Sequence, residues 1–213
     1  MNQTVKRTTP RCAAILATGI SLWLGQTNAP APLNVIGYYN VVVPAGQKLM
    51  IANQLHTTND VLSHVLPGPY ADGTTYFNFT GSFAASPWDT DANAWSADFP
   101  LKPGDGGFLS SQVRQTFTFV GEVQQGSITN TPLVQGQKRI RGYPVPKGIY
   151  LSQSGVTGED GDIVFQFHGS YSASPYDTDA VAWSADFSNA VGEAWFIYKQ
   201  GSQTNWIVNF TVQ

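Results

Sequence analysis

Hydrophobic and polar side chains alternate over short stretches of this chain. Tyr76-Phe77-Asn78-Phe79 and Val164-Phe165-Gln166-Phe167 set Asn78 and Gln166 on the face opposite their phenylalanines, the period of a half-buried β-strand. Runs rich in Val, Ile, Thr and aromatic residues at 34–43, 75–79, 108–110, 116–123, 163–167, 195–199 and 206–212 read as further strands, many parted by glycine turns. One helix is expected, at 61–66, with Asn59 or Asp60 as its N-cap and Pro67 ending it. The pattern predicts an all-β protein, a sandwich or a barrel.

The chain is also written twice. Residues 81–99 read GSFAASPWDTDANAWSADF and residues 169–187 read GSYSASPYDTDAVAWSADF, identical at 15 of 19 positions under an offset of 88. The same offset aligns Asp72-Gly73 with Asp160-Gly161, Phe108 with Phe196 and Gln115-Thr116 with Gln203-Thr204. Upstream, Gly46-Gln47-Lys48 matches Gly136-Gln137-Lys138 at an offset of 90. Val35-Ile36-Gly37-Tyr38 finds a counterpart in Phe119-Val120-Gly121-Glu122. Internal repetition of this kind predicts two β repeats, 32–122 and 123–213, related by a pseudo-twofold axis.

Residues 1–31 stand apart. Lys6, Arg7 and Arg11 precede an apolar run from Cys12 to Leu24, and small residues follow it. That is the layout of a secretory signal peptide, too short to span a bilayer comfortably. It directs the expectation to a secreted, periplasmic or cell-surface protein, with no transmembrane span in the mature chain. Without it the protein carries eight basic residues against 14 acidic, a charge of −6, and no cysteine. Such a balance argues against nucleic acid as a partner. With 42% hydrophobic and 12% charged residues among 213, disorder is excluded as well.

The phrases Val35-x-Gly37-Tyr38, Pro44-x-Gly46 and Leu49-x-Ile51-Ala52-Asn53-Gln54-Leu55 resemble a family of secreted, internally duplicated all-β proteins from environmental bacteria. In that family the second half also opens on a phrase like Phe119-Val120-Gly121-Glu122-Val123. The resemblance spans nearly the whole mature chain and implies export and duplication. The family has no assigned activity, so no catalytic residue is carried over.

The repeated segment holds the candidate chemistry. Asp89 and Asp91, and again Asp177 and Asp179, place two carboxylates two residues apart after a proline. Alternating carboxylates can converge on a hard cation, so calcium is the cofactor this spacing would suit, with Asp98 and Asp186 as further ligands if the loop doubles back. The EF-hand pattern fails, because Ala94 stands at its glycine and Pro100 at its closing glutamate. The competing reading has these aspartates accepting backbone N–H groups in Asx-turns. Trp88, Trp95, Tyr176 and Trp183 are the candidate ligand-binding residues: exposed and coplanar they would stack on a sugar ring, buried they are core anchors.

Catalytic signatures are scarce. No Gly-x-Ser-x-Gly elbow or His-Glu-x-x-His is present, and His56, His64 and His168 have no ligand spacing for zinc. Lys138-Arg139-Ile140-Arg141, the dense positive patch, could touch an anionic polymer or a membrane surface, and the simpler reading is alternating charge on an exposed strand. The expectation is a binding or structural protein of the cell envelope or extracellular matrix, calcium-stabilised or glycan-binding, with polysaccharide or neighbouring subunits as partners. The alternative is a small secreted glycosidase or esterase whose acid and base are aspartates of the two copies.

Overall fold

A computed structural model describes residues 35–130 and 132–212; the segment read as a signal peptide lies outside them. The first half comprises strands β1 (Val35–Val43) and β2 (Gln47–Ala52), a one-turn helix α1 (Leu62–Val65), and strands β3 (Thr75–Phe79), β4 (Phe83–Asp89), β5 (Ala94–Trp95), β6 (Gly106–Ser111) and β7 (Gln115–Val123). The second comprises β8 (Gly126–Thr129), β9 (Gln137–Arg141), β10 (Ile149–Tyr150), a 3-10 turn at Leu151–Gln153, β11 (Ile163–Phe167), β12 (Tyr171–Asp177), β13 (Ala182–Trp183), β14 (Ser188–Asn189), β15 (Trp195–Lys199) and β16 (Ile207–Phe210). The strand pairs are antiparallel, and the all-β class expected from the patterning is what forms. No helix among the described residues is long and apolar enough to cross a membrane.

Two five-stranded sheets carry the architecture. Their orders are β2-β6-β3-β4-β5 and β9-β15-β11-β12-β13, which coincide strand for strand under the sequence offsets. A two-stranded ribbon accompanies each, β1 with β7 and β8 with β16. The ribbon covers one face of its sheet. In the first half Phe117 and Phe119 of β7 share a core with Tyr76, Leu109 and Ile51 of the sheet; in the second, Ile128 and Val208 share one with Val164 and Ile197. The phrases at 35–38 and 119–122 are therefore not equivalents. They are hydrogen-bonded neighbours, with Gly37 opposite Gly121, and the place of β1 in the second half is held by β8.

A third cluster lies between the sheets, on their other faces. Met50, Ala52, Phe108, Ile140 and Ala194 are its buried members, with Phe77, Phe79, Phe167 and Phe196 packed against it. Strand β3 is thus packed on both faces rather than half-buried, with Tyr76 in its own half's core and Phe77 at the junction. Contacts across this junction come in reciprocal pairs. Ile51 bridges Glu193 and Asp105 bridges Arg141; Ala52 N donates to Gly192 O at 2.9 Å and Gly142 N to Gly104 O at 3.0 Å. Under the offsets each contact of a pair maps onto the other, as a two-fold relation requires.

At the centre of this relation residues meet their own equivalents. A Cβ on Gly142 would lie 2.3 Å from the Cβ of Ala52, and one on Gly106 would lie 2.6 Å from Ile51 O and 3.2 Å from the Cβ of Ala194. There is room for one methyl group per pair, so each pair is a glycine and an alanine. The basic run at 138–141 forms β9, and its last member is not a surface charge: Arg141 is buried and paired with Asp105. Burial pulls the Arg141 guanidinium downward in pKa, and the Asp105 carboxylate opposes that pull.

The helix is shorter than the expected 61–66, and neither Asn59 nor Asp60 caps it. Asp60 instead accepts from Thr57 N and from the Thr57 hydroxyl. The free N–H of Ser63 is met from far along the chain by Asp98, whose second oxygen accepts from Ser63 Oγ. Asp186 makes the same two bonds with Ser152.

Candidate functional site

Each repeated segment folds as strand, turn and strand, β4 to β5 and β12 to β13. The turn is closed by its first aspartate. Asp89 Oδ1 accepts from the N–H groups of Asp91 and Ala92, both at 2.9 Å, and Asp177 Oδ1 accepts from those of Asp179 and Ala180 at the same distance. This is the Asx-turn arrangement. It forces the residue before each short strand into the left-handed region, with Asn93 at φ 50° and Val181 at φ 52°. Asp91 and Asp179 are exposed. Asp98 and Asp186 do not double back on the turns, being engaged with Ser63 and Ser152 as described. Among the described residues, no three His, Cys, Asp or Glu side chains gather as a metal centre would need.

The aromatic half of the segment behaves differently in the two copies. Trp88 and Trp95 face one another across the hairpin, ring centroids 5.3 Å apart and planes at 83°. Tyr176 and Trp183 repeat this at 5.2 Å and 75°. Each pair forms a corner and not the coplanar platform that stacking on one flat ring would use. In the first half the corner is filled. The Tyr70 ring sits 5.1 Å from Trp88, 5.4 Å from Trp95 and 4.7 Å from Phe117, and both tryptophans are buried. Trp95 Nε1 donates to Leu66 O at 2.8 Å. Burial pushes the Tyr70 hydroxyl up to about 12, against a backbone hydrogen bond from Gly68 that favours the ionised form.

In the second half the cover is gone. The offset of 88 puts Gly158 where Tyr70 stands and Asn205 where Phe117 stands. Leu66 has its equivalent in Ser154, whose carbonyl is taken at 2.8 Å by the indole of Trp206, the residue just before β16. Trp206 is buried in the core instead of Trp183. The indole N–H of Trp183 is left without a hydrogen-bond partner among the described residues, and Trp183 and Tyr176 are half-buried. A cleft of about 540 Å³ opens beside them, bounded by Thr157, Gly158, Val181 and the Ser152–Asp186 pair. A Cβ on Gly158 would lie 2.1 Å from the Tyr176 ring, so this ring lies directly on the backbone.

Of the four aromatic residues singled out from the sequence, Trp88 and Trp95 are thus core anchors, while Tyr176 and Trp183 line a cleft. Residues that decide the difference (Tyr70, Gly158 and Trp206) were not among the candidates. Aligning Asp72-Gly73 with Asp160-Gly161 already places Tyr70 opposite Gly158, so the change from a ring to no side chain was present in the sequence. Comparison of the chain with protein-family models, with curated proteins and with solved structures finds no match.

Proposed function

We propose that this is a binding protein of the cell exterior, and that its second half holds a sugar ring in the corner of Tyr176 and Trp183. The observation that carries the reading is the pair of like corners with unlike covers. The first half shows that a six-membered ring fits against two aromatic rings set at right angles, because Tyr70 occupies that place. The second half offers a like corner, with Tyr176 in the place of Trp88, and Gly158 supplies no ring to fill it. Its cleft of about 540 Å³ falls in the range of small-molecule sites, roughly 300–1,000 Å³. The polar groups at its rim suit hydroxyls: the Trp183 N–H donates, Asp186 accepts, and the Thr157 hydroxyl does either.

Binding is favoured over hydrolysis by the acids. Glycoside cleavage uses two carboxylates flanking the bond. The lining of this cleft contains one, Asp186, already holding Ser152. Asp89, Asp91, Asp177 and Asp179 lie in the two turns and outside that lining.

The test is a titration of the protein with neutral tetrasaccharides of glucose, mannose and xylose, following the Trp183 indole N–H by NMR. A shift saturating with Kd on the order of 1 mM is expected, about −4 kcal/mol for one buried ring. Replacing Tyr176 by Ala takes away one wall of the corner and removes the shift. A Trp183 resonance that no sugar moves, or a Tyr176→Ala variant that binds as before, would overturn the reading.

A further inference from the structure

The junction between the two sheets has an outer side that the sugar cleft does not use. Phe83 and Tyr171, equivalents under the offset, are 51% and 52% exposed there. They stand over a continuous belt of aromatic rings that crosses from one half to the other. Phe79 of the first half meets Phe196 of the second at 4.9 Å, and Phe108 of the first meets Phe167 of the second at 5.1 Å, both edge to face. These two contacts are again reciprocal.

The belt holds two neighbouring concavities with equivalent walls. One, of about 270 Å³, is bounded by Lys48, Phe83 and Phe108; the other, of about 310 Å³, by Lys138, Tyr171 and Phe196. Each sets one lysine among aromatic rings: the first is also lined by Phe167 and Tyr171 and the second by Phe165, so Tyr171 belongs to both. The lysines are held against rings: Lys48 Nζ lies 3.9 Å from the Phe77 centroid and Lys138 Nζ 5.1 Å from that of Tyr198. Arg139 joins Lys138 in an adjoining hollow of about 360 Å³. No acidic residue lines any of the three hollows, although the chain beyond residue 31 carries a charge of −6. Cations beside the exposed rings of Phe83 and Tyr171, segregated on an otherwise acidic protein, call for an anionic partner with apolar faces.

We propose that this face binds an acidic polysaccharide of the uronate type, one sugar ring in each concavity and its carboxylate at Lys48 or Lys138. A pyranose offers an apolar C–H face to an aromatic ring and carries its carboxylate at the ring edge, where the lysines stand. Two subsites related by a two-fold axis meet a polymer from opposite directions. They can share only features without direction, namely a ring face and one negative charge per unit. A repeating acidic polymer supplies both. A second copy of the chain would bring cations against cations, and the segment at 1–31 has three basic residues and no acid. Three cations also fall short of the four to eight that mark surfaces recruited by anionic lipid.

The experiment is affinity electrophoresis and calorimetry of the protein with polygalacturonate oligomers, beside a neutral glucan of equal length and phosphatidylglycerol vesicles. Retardation by polygalacturonate is expected, weakening as salt is raised, while the glucan, held only at the millimolar cleft, retards far less and with no dependence on salt. Lys48→Gln and Lys138→Gln together weaken binding about tenfold or more, and Phe83→Ser with Tyr171→Ser does the same. All four side chains are exposed, so melting temperatures of these variants report that folding is kept. The inference does not rest on the sugar cleft, and the Tyr176→Ala variant is expected to bind polygalacturonate unchanged. No retardation by polygalacturonate would overturn it. So would equal retardation by the neutral glucan, binding undiminished in the double lysine variant, loss of binding in the Tyr176→Ala variant, or association with vesicles alone.

Discussion

The corner at Trp88 and Trp95 and the corner at Tyr176 and Trp183 have the same strands, the same register and nearly the same ring geometry. In one, Tyr70 seals the rings from water and Trp95 spends its N–H on Leu66 O. In the other, Gly158 provides no cover and Trp206 has taken the corresponding carbonyl. Backbone geometry in both copies is fixed by features they share, the Asx-turns of Asp89 and Asp177 and the clamps of Asp98 and Asp186 on the helical turn that precedes each hairpin. What differs is the side chain arriving from outside the hairpin. A repeated segment therefore sets the shape of a pocket, and residues that are not repeated decide whether the pocket is open.

The strongest test of this contrast is to truncate the matched tryptophans. Trp95→Ala should cost about 4 kcal/mol, because it empties a sealed core site and strands the Leu66 carbonyl. Trp183→Ala, half-buried and without that bond, should cost about 1–2 kcal/mol. Urea denaturation of both variants checks the difference, and equal losses would mean that the two corners are alike in energy.

The junction can be probed next. Gly142→Ala places a methyl group 2.3 Å from that of Ala52 and should destabilise by roughly 2–3 kcal/mol. Ala52→Gly in the same chain exchanges the two residues and should recover most of the loss. Thermal melts of the single and double variants read this directly, and absence of rescue would break the equivalence of the two sides.

Alkaline pH offers a third comparison. The Tyr70 hydroxyl is raised from 10.0 to about 12 in the folded protein, chiefly by burial. Its neutral form is favoured by folding, so its contribution is whole below pH 10 and is lost as pH climbs through 12. Two pH units correspond to about 2–3 kcal/mol. Wild type should thus lose about that much more than Tyr70→Phe between pH 10 and 12, measured by urea midpoints. The smallest effects belong to the shared turns. Asp89→Ala and Asp177→Ala should each cost about 1 kcal/mol and by equal amounts, since each removes the same two hydrogen bonds.

Much of this architecture was legible in the sequence. The strands at 75–79, 163–167 and 195–199 stand where alternation and β-branched or aromatic content put them, and β1, β7 and β16 are close to expectation. Strands β4 and β12 were not, because Ala, Ser and Pro give Phe83–Asp89 and Tyr171–Asp177 little intrinsic strand preference, and pairing with β3 and β11 decides the matter. The cap of α1 was misassigned for a related reason: Asp98 reaches Ser63 from 35 residues away, and no local pattern shows it. Repetition made the hairpin visible as a candidate site, yet it pointed equally at both copies. Which aromatic pair is covered depends on Tyr70 and Trp206, which come from separate parts of the chain. The like-sounding phrases at 35–38 and 119–122 misled in the same way, since adjacent strands that face a common core carry similar side chains.

The reciprocal bridges at Ile51–Glu193 and Asp105–Arg141 have one more consequence. An assembly of two identical subunits would use such contacts too, but any change to one corner would then appear in both. Joining the subunits in a single polypeptide fixes their ratio, prevents dissociation on dilution, and frees each copy to vary alone. A closed corner and an open one are differences that one chain can carry side by side and two identical subunits cannot.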